Sequence, residues 1–295
     1  MESFQVLRRL MKARLALRQK VPPKYYSSHS SSIAISFEPL QIINVEGMSQ
    51  AVTLSSIVTL TWHDPEVTWK PSAHSGIKDI QLASDNFWRP SIIVPKSTVT
   101  TDLNIPFPEV VDITYRGYIT AFIPTMVSTL CNLDMTYFPF DAHNCSIVFI
   151  EESQYNMTFY NLPPTDVTLH FGTDGEWFME RHGCFSTISH FSPNFEYVIC
   201  SLAMRRRSLF FVVNLLAPMA MTSVMTLMVF LIPADGGEKI GFVLSMYTST
   251  SVFLSYIVER IPKNMDKTLP RINILLLAIV AQVIVATMAT VFVLH

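Results

Sequence analysis

From Ser36 to about Met204 the chain runs in short segments rich in Val, Ile, Thr, Tyr and Phe, broken by Pro, Gly, Asn and Asp. Segments such as Ala51-Val52-Thr53-Leu54, Ser146-Ile147-Val148-Phe149 and Phe195-Glu196-Tyr197-Val198-Ile199-Cys200 are long enough for one strand and too short for a stable helix. The pattern predicts an all-β sandwich, immunoglobulin-like in architecture, or a barrel. After Arg205-Arg206-Arg207 the texture changes. Leu209 to Ile232 has no charged residue over a length that crosses a hydrocarbon core of about 20 residues. Pro218 inside it predicts a kink of the kind a membrane bundle accommodates. Ile272 to Leu294 is a second uncharged run. Between them, Ile240 to Val258 is also uncharged but carries Ser245, Thr248, Ser249, Thr250, Ser251 and Ser255, too many hydroxyls for a lipid-facing helix. The reading is therefore a basic leader or helix (1–35), a β-sandwich (36–207) and a helical transmembrane bundle (208–295) with spans at 209–232, 240–258 and 272–294.

Composition sharpens this division. Of 295 residues 49% are apolar and only 15% charged, against about 25% charged in an ordinary soluble domain, and charged residues become scarcer still after Arg207. The formal charge of -2 gives no reason to expect nucleic acid as a partner. The eight histidines are scattered without metal-ligand spacing and no nucleophile motif is present. No enzyme, metal site or cofactor is expected.

The four cysteines fall into two local pairs, Cys131 with Cys145 and Cys184 with Cys200, which suits an oxidising compartment. Two sequons, Asn144-Cys145-Ser146 and Asn156-Met157-Thr158, agree with it. Cys184 and Cys200 are equidistant from Ser192. A hairpin turning near Ser192-Pro193 places them face to face for a bridge; two free buried cysteines fit the same residues. The stretch Met1 to Lys20 carries six basic residues against Glu2 alone and has no uninterrupted apolar run, so no cleavable signal peptide is visible. It reads either as a short helix capping a folded domain or as a mitochondrial transit peptide.

Taken as a helix, the middle span places Glu238, Gly241, Ser245, Thr248, Val252, Ser255 and Glu259 on one face. An ionisable group at the bilayer centre costs about 2.5–3.5 kcal/mol; Glu238 and Glu259 sit instead at the two ends. Several copies around an axis turn the stripe into a water-filled lumen with carboxylate rings that concentrate cations. The alternative is that the hydroxyls bond neighbouring helices and the acids mark membrane boundaries.

Thirteen residues separate Cys131 from Cys145 and enclose Phe138-Pro139-Phe140-Asp141. This loop resembles the signature of Cys-loop, nicotinic acetylcholine receptor-like ligand-gated channels. Supporting matches follow in order: Trp62-His63-Asp64 with Trp69, Trp88-Arg89-Pro90, Gly175-Glu176-Trp177, Arg205-Arg206-Arg207, Val213-Asn214-Leu215-Leu216-Ala217-Pro218 and Ala234-Asp235-Gly236-Gly237-Glu238-Lys239.

The resemblance implies an extracellular sandwich and a homo- or hetero-pentamer of related subunits in the plasma membrane, with a postsynaptic position among the settings. It also implies a small-molecule agonist between subunits and a pore lined by the second span. A Cys131–Cys145 disulfide would hold Phe138, Pro139 and Phe140 as a finger that meets the connection Pro262 to Thr268. Arg206 falls at the junction of last strand and first helix with Glu46 as candidate partner, a solvated or headgroup contact being the alternative. Gly236-Gly237-Glu238-Lys239, without the Pro-Ala of anion-selective relatives, implies permeant cations.

Departures from the family pattern are local. Where an apolar Leu is usual at the gate this chain has Thr248 beside Tyr247, leaving Val252 as the apolar ring. Positions that carry cation-binding rings in acetylcholine sites read Ile57, Pro95 and Glu152, and the adjacent-cysteine pair is replaced by His190-Phe191-Ser192-Pro193-Asn194-Phe195. Phe191, Phe195 and Tyr197, with Glu151 or Glu152 for an amine, are the ligand-site candidates; surface and core packing is the other reading. The basic residues flanking the first two spans predict a cytoplasmic sandwich. Long domains translocate largely regardless of charge, and the sequons and cysteine loop place it in the lumen. The family has four spans and the sequence ends after three, which reads as a fragment, an incomplete gene model or a short form. Both a conducting subunit and a non-conducting accessory subunit are consistent with these features.

Overall fold

The computed structural model describes residues 5–11, 32–95, 105–151, 158–161, 175–188, 196–231, 238–260 and 270–294. Helix α1 (residues 5–11) precedes ten strands: β1 (Ser32–Glu46), β2 (Ala51–His63), β3 (Asp79–Ala83), β4 (Ile92–Ile93), β5 (Val110–Thr114), β6 (Tyr118–Leu130), β7 (Ala142–Glu151), β8 (Thr158–Asn161), β9 (Trp177–Ile188) and β10 (Glu196–Arg206). A six-stranded sheet in the order β3-β5-β6-β2-β1-β8 faces a four-stranded sheet β4-β7-β10-β9. Among the described residues all pairings are antiparallel except β1 with β8. The sandwich expected from sequence is present, beginning at Ser32.

Its core follows from alternation. In β2 the side chains of Val52, Leu54, Val58, Leu60 and Trp62 are buried while Thr53, Ser55, Thr59 and Thr61 face outward, the period of two that a half-buried sheet demands. Phe37 and Phe149 join the two sheets at 5.3 Å, and Trp62 packs edge-on to Trp88 and Phe107. Pro39 lies in β1 where the register with β2 shifts, so its missing N–H interrupts no ladder. Leu7 and Met11, one turn apart on α1, are buried against the same core. The capping helix is thus the conformation adopted over residues 5–11.

Among the described residues three helices follow that are long and apolar enough to cross a membrane: α2 (Leu209–Leu231), α3 (Glu238–Arg260) and α4 (Arg271–Leu294). Pro218 cannot donate to the helix ladder, and its ring crowds the carbonyl four residues back. The chain answers with a π-helical turn at Val212–Leu216, in which Ala217 N–H reaches Val212 O. The proline predicted a kink; a widened turn just before it is what the helix contains. Val229, Val243, Val283 and Ala286 form one buried seam between the helices. Ile257, Ile272, Leu276 and Ile279 extend the sandwich core into another. Ser223 Oγ donates to Gln282 Oε1 at 2.7 Å, and Gln282 Nε2 donates to Ser223 O at 2.9 Å, tying α2 to α4 through two polar bonds.

Candidate functional site

The site lies where the sandwich meets the helices. A disulfide joins Cys131 at the end of β6 to Cys145 in β7, Cα–Cα 5.3 Å, and the intervening residues form a finger. Its root is held by Gln50, whose carbonyl accepts from Cys131 N–H and whose Oε1 accepts from Leu133 N–H. Asp134 Oδ1 accepts from the Thr136 hydroxyl and N–H, and these two bonds hold its carboxyl below the usual range. Phe138 turns inward and packs edge-on against Phe211 at the start of α2, 5.2 Å between centroids. Tyr137 and Phe140 stay 53% and 61% exposed at the tip.

Arg206 is organised by the strand that carries it. Val198, Cys200, Leu202 and Met204 are the inward positions of β10, and Arg206 is the next in that alternation, so its guanidinium must be satisfied inside. Asp141 does this at two points, Nε to Oδ1 at 2.8 Å and Nη2 to Oδ2 at 3.0 Å, with both side chains buried. Arg206 Nη1 also pairs with Glu176, and the guanidinium lies 4.2, 4.9 and 5.4 Å from the rings of Trp177, Phe138 and Phe211. His143 Nε2 stands 2.7 Å from Asp141 Oδ2. Burial raises the Asp141 pKa, but the hydrogen bonds from His143 and Arg206, with the Arg206 charge, outweigh it, and the carboxyl stays below its ordinary range. Ionised, Asp141 can only accept, so His143 is the donor.

This corrects one expectation. Arg206 does not pair with Glu46, which accepts instead from Ser49 Oγ at 2.6 Å in the β1–β2 turn. The reason is local: Arg206 N–H bonds Asp141 O at 3.1 Å, and that backbone contact delivers the Asp141 carboxylate to the guanidinium.

The finger also grips the third span. Arg271 N–H donates to Thr136 O at 3.0 Å, its guanidinium lies 4.4 Å from the Tyr137 ring centroid, and Nη2 is 3.4 Å from the Tyr137 hydroxyl. The connection Pro262 to Thr268 lies outside the described residues; the described contact is with Arg271. Sequence reading missed Asp141, His143, Glu176, Tyr137 and Arg271 as partners. The inward register of Arg206 was a legible signal that it needed a buried acid.

In α3 the predicted stripe is intact. Glu238, Gly241, Ser245, Thr248, Val252, Ser255 and Glu259 are all exposed, while Lys239, Val243, Thr250 and Ile257 are buried. Ser245 and Thr248 donate to the carbonyls of Phe242 and Ser245, and Ser249, Thr250 and Ser251 likewise to the preceding turn. Their protons are spent within the helix, which leaves oxygen lone pairs for whatever faces them.

Among the ligand-site candidates, Glu152, Phe191 and Phe195 lie outside the described residues, as does Asn156. Tyr197 is half-buried in β10 opposite Thr187 and Ile150. Ile57 points to the outer face of β2 and Pro95 is exposed. Cys184 and Cys200 are register partners across β9 and β10 and are disulfide-bonded. Asn144 is exposed in β7. Among the described residues no cluster of His, Cys, Asp and Glu has the makings of a metal site.

Residues 4–208 match the neurotransmitter-gated ion-channel ligand binding domain. Acetylcholine receptor subunit alpha-1-A of Xenopus laevis is 30% identical over 271 residues, 89% of this chain and 58% of the relative. Neuronal acetylcholine receptor subunit non-alpha-2 of Carassius auratus is 28% identical over 278 residues, 93% of this chain and 60% of the relative. Neuronal acetylcholine receptor subunit alpha-3 of Rattus norvegicus is 28% identical over 280 residues, 91% of this chain and 54% of the relative. The chain spans between half and two thirds of the length of these relatives. The domain match covers the whole sandwich and the relatives' similarity covers most of the chain, so it belongs to the neurotransmitter-gated ion-channel family, as a nicotinic acetylcholine receptor-like, multi-pass subunit of the plasma membrane and not an enzyme.

Proposed function

We propose that the chain is a subunit of a ligand-gated cation channel in which α3 lines the pore. The observation that carries this reading is the stripe from Glu238 to Glu259, turned away from the chain's own helices. A polar helix face with a carboxylate at each end is unfavourable against lipid and suited to an aqueous axis shared with four related subunits. Water-exposed carboxylates at the two mouths attract cations and repel anions, and serine and threonine oxygens between them offer lone pairs to a partly hydrated ion.

Coupling runs through the finger. A small-molecule agonist between sandwiches shifts β9 and β10, and Arg206, at the end of β10, holds Asp141 of the finger. The finger in turn touches α2 through Phe138 and α4 through Tyr137. The sandwich is extracellular in this scheme, with Asn144 and Asn156 available for glycosylation.

Co-expression with a related subunit and recording of acetylcholine-evoked current tests the proposal. Glu238→Lys is expected to reduce cation permeability or reverse the selectivity; evoked current with unchanged permeability ratios removes the pore assignment. A glycosidase shift that disappears when Asn144→Gln and Asn156→Gln are combined tests the orientation. A second reading, an accessory subunit that does not bind the agonist itself, is favoured by Ile57 and Pro95 standing where acetylcholine sites of the family carry aromatic rings. It predicts co-assembly with related subunits and no current from this chain alone.

A further inference from the structure

Far from the junction, α1 and the segment after β2 form an open groove of about 560 Å³ lined by Leu7, Leu10, Met11, Trp69, Lys70 and His74, with Thr68 and Ala73 completing the wall. That volume is in the range of small-molecule sites, which are mostly apolar clefts with a few placed polar groups. The walls here have that composition. Leu7 and Met11 are buried, and Leu10 on the same helix is 56% exposed, leaving an apolar face over the opening. The Trp69 indole N–H is engaged by Ile77 O at 2.8 Å, so the ring offers its apolar face. The Thr68 hydroxyl is turned to Pro65 O.

The polar side chains left to a ligand are Lys70 and His74. Among the described residues no acid lines the groove and neither of the two has a carboxylate partner. Arg8 and Arg9 on the helix add to the positive field. Apolar walls with one exposed lysine ammonium and one imidazole favour a ligand with an apolar body and a single negative head; a cation would be repelled by Lys70.

We propose that this groove binds an amphiphilic organic anion, a hydrophobic carboxylate or sulfonate, with its body between Leu7, Leu10, Met11 and Trp69 and its head at Lys70 and His74. The site uses no residue of the junction or of the α3 stripe, so it stands or falls separately from the gating scheme.

The test is photolabelling of the full chain in lipid nanodiscs with azidonaphthalene sulfonate, read by peptide mapping. The expected result is saturable labelling within residues 7–11 and 68–74 that unlabelled naphthalene sulfonate displaces and neutral naphthalene methanol does not. Lys70→Glu is expected to weaken the apparent affinity about three- to tenfold, with Lys70→Arg retaining it. Ala73→Trp, which fills the groove while leaving the charge, is expected to abolish labelling. Labelling that is absent or unsaturable, unchanged in Lys70→Glu, or equally displaced by the neutral alcohol overturns the proposal. Intact Cys131–Cys145 and Cys184–Cys200 bridges and an unchanged circular dichroism spectrum show that each variant is folded.

Discussion

Arg206 and Asp141 meet at two points, 2.8 and 3.0 Å, inside the base of the sandwich, and this pair binds the last strand to the cysteine-bridged finger. A buried ion pair is weak evidence of net stabilisation, because desolvation offsets most of the attraction; removing one partner leaves a charge without compensation. Asp141→Asn and Arg206→Ala are therefore each expected to destabilise the sandwich by about 3–5 kcal/mol. Thermal unfolding and the yield of disulfide-intact protein measure this. The double variant is expected to lose less than the sum of the two, since the second change no longer orphans a charge.

The same pair sets a dependence on acid. The folded Asp141 carboxyl lies below its ordinary value, so the unfolded chain takes up a proton there first. Its contribution to stability is complete above the unfolded carboxylate pKa of about 3.9 and is lost as pH falls through the folded value. The stability difference between wild type and Asp141→Asn is expected to shrink as the pH is lowered below about 4. Denaturation midpoints at several acid pH values check this, and a constant difference excludes it.

Tyr137 and Arg271 link the finger to the third span through a ring and a long hydroxyl contact. Exposed cation–π pairs contribute about 0.5–1 kcal/mol, and the ring carries most of it because the hydroxyl lies 3.4 Å from the guanidinium. Tyr137→Phe is expected to leave acetylcholine sensitivity of co-expressed channels nearly unchanged. Tyr137→Ala and Arg271→Ala are expected to shift it, non-additively in a double-mutant cycle; additive shifts exclude a direct link.

Faces of α3 and α4 are expected to differ in reactivity. Ser245→Cys and Val252→Cys should react with water-soluble thiol reagents in the assembled protein, whereas Leu276→Cys and Val283→Cys, at buried seam positions, should not. Equal protection of all four positions removes the aqueous axis.

Within the bundle, Gln282 makes both bonds to Ser223. Polar interhelical bonds in lipid average about 0.6 kcal/mol and reach about 2 kcal/mol. Gln282→Leu is expected to lower thermal stability in detergent by that order, with Ser223→Ala adding little beyond it.

Much of this architecture follows from residues near one another in the chain. Alternation along β2, β7 and β10, uncharged runs at Leu209, Ile240 and Ile272, and hydroxyls spaced along one face of α3 are local properties, because a strand repeats every two residues and a helix every 3.6. The short bridged loop was likewise legible from its own residues. So was the facing of Cys184 and Cys200, since a hairpin pairs residues equidistant from its turn.

What met across long separations was not. That Arg206 takes Asp141 and Glu176 rather than Glu46, and that Arg271 packs on Tyr137, depends on how the sheets and helices stack. A charged side chain announces that it needs a partner but not which of several acids the fold will deliver, because that choice is made by backbone packing. Sequence thus determined the sandwich, the spans and the polar stripe; tertiary structure decided the partners at the junction and formed the groove beneath α1, since both are defined by surfaces that exist only once distant segments are pressed together.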